Sequence, residues 1–203
     1  SGPAPNPRTL RVARTEQPLT DHGPGLSREE LKALIRTVPD FPAAGIQFRD
    51  ITTMLADGAG LAASVDMLAE QAAGLGVSKV AGIEARGFIF GTALALRLGA
   101  GFVPVRKAGK LPVDCIGEDY ALEYGVARVE LDSSIIAPGE KVLVVDDLLA
   151  TGGTALAAVR LLRRAGADVT HALFVIDLPD LGGAETLEAE GVKTRSLIAF
   201  AGH

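Results

Sequence analysis

From Ser27 onward the apolar positions fall into two regimes. Ser27 and Glu30 form a capping-box pattern, and Leu31, Leu34, Ile35 and Val38 follow at helical spacing. This predicts a first helix that Pro39 ends. Residues 41–48 read as a loop and 61–75 as a second, Ala-rich helix. From residue 79 short β-branched runs alternate with helical stretches. Strands are expected over 80–83, 102–105, 126–131, 142–145, 169–176 and 196–200. The helices fall over about 88–98, 154–165 and 181–190. Strands alternating with helices of this length predict an α/β fold with a mostly parallel sheet flanked by helices. In such sheets ligands sit outside the carboxyl ends of the strands, so the strand-to-helix turns are where chemistry belongs.

Residues 1–26 show no apolar period and hold five prolines (Pro3, Pro5, Pro7, Pro18 and Pro24). They are expected to form a flexible tail, which leaves 27–203 as one domain. Of 203 residues, 48% are hydrophobic and only 4% aromatic, so the core must be built from Ala, Leu, Val and Ile. That is the composition of a packed domain, not of a disordered chain.

Twenty Lys and Arg against 25 Asp and Glu leave a net charge of −5. An acidic surface argues against nucleic acid as a partner. It leaves room for a small phosphorylated ligand held by a few well-placed donors. The single cysteine, Cys115, excludes an internal disulfide and a Cys-rich zinc site, and fits a reducing compartment. No apolar run reaches the roughly 18 residues a membrane span needs, so no membrane partner is expected. The N-terminal residues carry no charged-then-apolar signal pattern, which predicts a cytoplasmic location.

The sharpest chemical signal is the run Val142 to Thr154. An uninterrupted apolar strand delivers Asp146 and Asp147, then Leu148-Leu149-Ala150, then Thr151-Gly152-Gly153-Thr154 at a helix start. A phosphate needs several inward-pointing N–H groups that side chains would obstruct. A small, Gly-rich turn at a helix N-terminus supplies them, with two hydroxyls and a favourable dipole. Paired acids just upstream suit ribose hydroxyls or magnesium, since both take oxygen acceptors. Two adjacent charges at the end of a buried strand are costly unless they have a task. No Gly-Lys-Ser/Thr follows the glycines, so this is not a nucleotide-hydrolysing P-loop. Gly58-Ala59-Gly60-Leu61-Ala62-Ala63 imitates a dinucleotide fingerprint, but no good strand precedes it and a helix entry explains it better.

Two further turns stand out. In Gly82-Ile83-Glu84-Ala85-Arg86-Gly87, Arg86 beside a glycine can clamp an anion. From 85 to 113 the chain carries Arg86, Arg97, Arg106, Lys107 and Lys110 without one acid. The polar segment 108–125 is longer than most connections, which predicts a mobile flap or, alternatively, an exposed acidic hairpin. His22 and His203 lie near the ends and His171 within a strand, so no Cys–His dyad with Cys115 is expected.

The run Val144 to Thr154 resembles the phosphoribosyl pyrophosphate (PRPP) motif of type I phosphoribosyltransferases. Segments 41–52, 84–91, 103–112 and 120–125, and the ending 196–203, are similar to the adenine phosphoribosyltransferase family within that group. The resemblance covers about 27–203 and departs at Ala44, where the family often has proline. It implies a type I phosphoribosyltransferase-like fold with a hood segment and a flexible active-site loop. It also implies the reaction: adenine and PRPP give AMP and pyrophosphate, with Mg2+ carried mainly by PRPP and pyrophosphate, near Asp146 and Asp147. By the same resemblance Ala150, Thr151, Gly152, Gly153 and Thr154 hold the 5′-phosphate, and Asp146 and Asp147 face the ribose. Arg86 and Lys107 take pyrophosphate. Glu123 handles the adenine proton, Tyr124 helps close the flap, Gln47, Phe48 and Arg49 form the hood, and Leu148 packs under the base. A homodimer is implied as well. The rival readings are a phosphoribosyltransferase for another base, and a regulatory module that senses PRPP without turning it over.

Overall fold

The computed structural model describes residues 25–121 and 125–202. A short helix α1 (Arg28–Ala33) leads into strands β1 (Arg36–Pro39) and β2 (Gln47–Asp50), which pair antiparallel as a ribbon apart from the main sheet. Helices α2 (Thr52–Ala56) and α3 (Gly58–Ala72) follow, then β3 (Lys79–Ile83), α4 (Gly87–Leu98) and β4 (Gly101–Lys107). A hairpin of β5 (Ile116–Ala121) and β6 (Val126–Leu131) precedes β7 (Val142–Leu149) and α5 (Gly153–Arg164). The chain closes with β8 (His171–Asp177), α6 (Gly183–Glu188) and β9 (Lys193–Ala199).

The main sheet has the order β5-β6-β4-β3-β7-β8-β9. Its five strands from β4 to β9 run parallel, and β6 is antiparallel to both β4 and β5. This is the α/β fold with a mostly parallel, helix-flanked sheet that the alternating pattern predicts. Successive side chains of a strand point to opposite faces, and the two cores follow that period. Val80, Leu143, Val145, Leu173 and Val175 pack with Phe90, Leu94 and Leu68 on one face. Ala81, Val144, Ala172 and Phe174 pack with Val159, Leu161 and Leu162 on the other. Both faces being covered explains why these strands read as continuous apolar runs.

Two expectations need correction, and a third, the helix entry at Gly58, holds. The predicted helix over 27–38 stops after Ala33, and its second half becomes β1. The residue before a proline is disfavoured in helical conformation, so Pro39 pushes Val38 to extended backbone, where it pairs with Phe48. The capping box itself is present, with Ser27 Oγ accepting from the Glu30 N–H at 3.2 Å. The segment 108–125 is not an open loop throughout. Its second half is β5, whose Ile116 and Tyr120 pack on the α5 side of the sheet, so the hairpin alternative is the one observed. The imitation fingerprint at Gly58 is the start of α3, capped by Asp57 accepting from Gly60 N–H at 2.7 Å.

Strand β3 marks where the strand order reverses: α4 carries the chain to β4 on one side, while β7, β8 and β9 extend the other. Connections leaving in opposite directions open a crevice at the carboxyl ends of β3 and β7. The turn after β3 is drawn close because α4 lies almost against the β3 backbone. A Cβ placed on Gly82 would stand 2.6 Å from the Gly87 carbonyl oxygen and 2.8 Å from the Phe102 ring. Gly82→Ala is therefore expected to lower stability by about 1–3 kcal/mol, seen as an earlier urea midpoint. An unchanged midpoint would show that α4 can retreat at no cost.

Candidate active site

The crevice at the ends of β3 and β7 encloses about 370 Å³. It is lined by residues 83–86 after β3, by Lys107 at the end of β4, and by 146–155 at the end of β7 and the start of α5. Arg86, Lys107, Asp146, Asp147, Leu148, Ala150, Thr151, Gly152, Gly153 and Thr154, all singled out in the sequence, are thus brought into one cleft.

The Thr151–Thr154 turn enters α5 through Gly152, whose φ of +83° is a left-handed conformation that glycine adopts without strain. Among the described residues no side chain caps this helix start. The first N–H groups of a helix lack intrahelical acceptors, so these donors face the cleft beside the positive end of the α5 dipole. This is an anion cradle.

Asp147 is almost fully buried, and its Oδ2 accepts from Arg86 Nε at 2.5 Å. Arg86, expected on the anion side, thus reaches across the floor of the cleft from the β3 turn to the β7 acids. Its side chain remains half exposed, so it can also face a ligand. Asp146 Oδ1 accepts from the Asp147 N–H at 2.9 Å. Dense surroundings, and then the neighbouring Asp147 charge, push the Asp146 carboxyl well above its ordinary range.

One residue with a structural task at the site was missed. Glu84 Oε2 accepts from Arg106 Nε at 3.0 Å and from the Lys107 N–H at 2.8 Å, clipping the ends of β3 and β4 together. Burial alone would raise the Glu84 carboxyl. The Lys107 and Arg106 hydrogen bonds outweigh it and hold the group below its usual range. The sequence carried a signal: Glu84 is the last acid before the acid-free stretch 85–113.

A second, mostly apolar pocket of about 220 Å³ adjoins the cleft and shares Arg86, Leu148 and Thr151 with it. Its outer wall is Ile46, Gln47, Phe48 and Arg49 of the β1–β2 ribbon, and its other wall is Leu178 and Leu181. The expected hood residues and Leu148 therefore meet in one place. Leu178 and Leu181 were not foreseen, although their position just after β8, beside β7, satisfies the strand-end rule. Glu123 and Tyr124 lie outside the described residues. The strand leading toward them ends close to the cradle, since the Ala121 carbonyl oxygen is 3.8 Å from where a Cβ on Gly153 would stand.

Among the described residues no three His, Cys, Asp or Glu side chains converge as a metal cage.

The raised Asp146 carboxyl has a consequence for stability. A carboxyl with a higher pKa folded than unfolded binds more protons in the folded state, so stability falls as pH rises above about 3.8. Asp146→Asn removes that charge. Its melting temperature is expected to exceed that of the parent chain, by a margin that grows with pH above that value. Equal melting temperatures at every pH would overturn the assignment of a partly buried, disfavoured charge.

The phosphoribosyl transferase domain family matches residues 47–195 of the chain. An adenine phosphoribosyltransferase from Erythrobacter litoralis is 63% identical over 175 residues, covering 86% of this chain and 98% of the relative. The crystal structure of adenine phosphoribosyltransferase from Rhodothermus marinus is 47% identical and superposes with a TM-score of 0.80, covering 85% of this chain and 98% of the other. The Saccharomyces cerevisiae enzyme, solved with an imino-altritol bisphosphate and adenine, is 37% identical with a TM-score of 0.79, covering 84% and 98%. With the anion cradle, the paired carboxylates and the adjoining apolar pocket in one crevice, the chain belongs to the adenine phosphoribosyltransferase family of phosphoribosyltransferases.

Proposed function

We propose that the chain transfers the phosphoribosyl group of PRPP to adenine, releasing pyrophosphate and forming AMP in a purine-salvage reaction. The observation that carries this reading is the continuity of two unlike spaces. A polar cleft with a helix-start cradle opens, through Leu148, Thr151 and Arg86, into an apolar pocket wide enough for a planar base.

The 5′-phosphate is held at Ala150, Thr151, Gly152, Gly153 and Thr154, where backbone donors and the α5 dipole favour an anion without a bulky side chain in the way. Asp146 and Asp147 face the ribose hydroxyls. Their negative charge also favours the positive charge that develops at the anomeric carbon as its bond to pyrophosphate lengthens. Arg86 and Lys107 take the departing pyrophosphate, with Lys107 set in place by the Glu84 clip. Adenine lies between the ribbon residues Gln47, Phe48 and Arg49 and Leu148, its ring nitrogen aimed at the anomeric carbon. As the new bond forms, the displaced adenine proton passes to Glu123, and Tyr124 helps close the site against water. Asp146 and Asp147 would lie nearest a magnesium ion brought with PRPP, which would supply neutralising charge to the leaving group.

A homodimer completes the proposal. Ile89 and Leu96 sit seven residues apart on the outer face of α4, are 41% and 78% exposed, and follow directly on Arg86. An apolar stripe there suits a second copy of the chain against the helix that carries Arg86. The remaining parts of the proposal are a domain over 27–203 with a tail over 1–26, and a cytoplasmic location. Among the described residues no helix is long and apolar enough to cross a membrane.

Pyrophosphate release from PRPP, measured with adenine, hypoxanthine and guanine in the presence and absence of magnesium, tests the reading. Adenine is expected to be preferred on the order of 10²-fold or more, because unpaired polar groups penalise the wrong base. Equal turnover of hypoxanthine would favour a broader base specificity, and no turnover with any base would favour a PRPP-sensing module. Glu123→Ala is expected to lower kcat by about 10²- to 10⁴-fold while PRPP affinity is kept. Unchanged turnover would remove Glu123 from proton handling.

A further inference from the structure

The chain does not stop at the sheet when β9 ends. Residues 200–202 run between the two walls of the apolar pocket and are tied to both. The Phe200 N–H donates to the Asp177 carbonyl at 3.0 Å, fixing the start of the segment on β8. The Phe200 ring then carries two cations, with the Arg49 guanidinium carbon 4.4 Å and the Lys32 ammonium 4.8 Å from its centroid. Arg49 Nη2 donates to the Ala201 carbonyl at 3.3 Å, and Lys32 Nζ donates to the Ala199 carbonyl at 2.7 Å. On the other side the Gly202 N–H donates to Asp180 Oδ2 at 2.8 Å. Asp180 lies in the Pro179–Leu181 turn that supplies Leu181 to the pocket, and Arg49 lies in the ribbon wall opposite.

The ribbon needs such an anchor. Two paired strands alone are marginally stable in water, and β1–β2 pairs with no strand of the main sheet. Its Arg36–Asp50 ion pair is internal and cannot locate it relative to the cleft. Arg49, by contrast, donates to Thr37 Oγ1 within the ribbon at 2.6 Å and to Ala201 beyond it. A partly desolvated aromatic ring contacting two cations is a stronger tether than an exposed one.

We propose that residues 200–202 act as a strap that sets the spacing of the two pocket walls, with Phe200 a positioning residue for binding of the base. The inference rests on the reading of that pocket as the adenine site. It makes affinity for the base depend on a segment with no place in the lining of either pocket.

The test compares Phe200→Ala, Phe200→Tyr and Asp180→Ala in steady-state kinetics and in hydrogen exchange over residues 36–50. Phe200→Ala is expected to raise KM for adenine about tenfold, leave KM for PRPP within about twofold, and speed exchange in the ribbon. Phe200→Tyr keeps the ring face and is expected to restore both readouts. Asp180→Ala cuts the other anchor at a solvent-exposed site and is expected to produce the same selective rise in adenine KM. An unchanged adenine KM in both alanine variants, or an equal rise in both KM values with no change in ribbon exchange, would overturn the strap. If the parent chain released no pyrophosphate with any purine, the functional reading would fail by itself, while ribbon exchange in Phe200→Ala would still report whether the strap exists.

Discussion

Two carboxylates at the carboxyl end of a buried strand are the constraint around which this site is arranged. Burying adjacent negative charges is unfavourable, and among the described residues only one of them has an ion-pair partner: Asp147 is held by Arg86 while the Asp146 carboxyl is pushed up. The Arg86 turn must therefore approach β7 closely, and the lack of a side chain at Gly87, where a Cβ would stand 2.9 Å from Asp146 Oδ1 and from the Val145 carbonyl oxygen, is what permits it. On the proposed reading, that disfavoured charge would be relieved when a positive centre forms beside it. A site complementary to a developing cation is expected to be uncomfortable without one.

The same constraint clarifies the acidic balance of the chain. A net charge of −5 offers no general attraction to a densely anionic substrate. On the proposed reading attraction is local, from the N–H groups at the start of α5 and from the basic positions that follow β3 and end β4. Glu84 shows how local this is: an acid within the cleft is spent on fixing the Arg106 guanidinium and the Lys107 backbone instead of opposing the ligand.

How legible the site was in the sequence follows from how it is assembled. The cradle, from Asp146 to Thr154, is one contiguous strand–turn–helix, so its chemistry could be seen in thirteen consecutive residues from Val142 to Thr154. The parallel sheet was legible for a related reason, since each strand is buried on both faces and reads as an apolar run. The apolar pocket is assembled from the ribbon, the end of β7 and the turn after β8, and no local pattern announces that Leu178 and Leu181 will face Phe48. The ribbon itself was misread because Leu34, Ile35 and Val38 satisfy a helical period, while the effect of Pro39 on its predecessor decides for a strand. The β5 hairpin was ambiguous because it is packed on one face only and is rich in charge on the other.

These two modes of assembly divide the work of the site. The cradle is anchored by β7 in the middle of the sheet, where backbone pairing on both sides leaves it little freedom. The task proposed for it, to bind a phosphate and stabilise charge at one carbon, tolerates little movement. The ribbon lies outside the sheet and meets the cleft through side chains and backbone contacts from distant parts of the chain, including the residues after β9. The task proposed for it is to recognise a flat base that must enter and leave. Wall position can therefore be retuned through residues remote from the reacting atoms without disturbing the carboxylates. Within one fold, the choice of base and the ribosyl chemistry are thus carried by elements that differ in how firmly they are held.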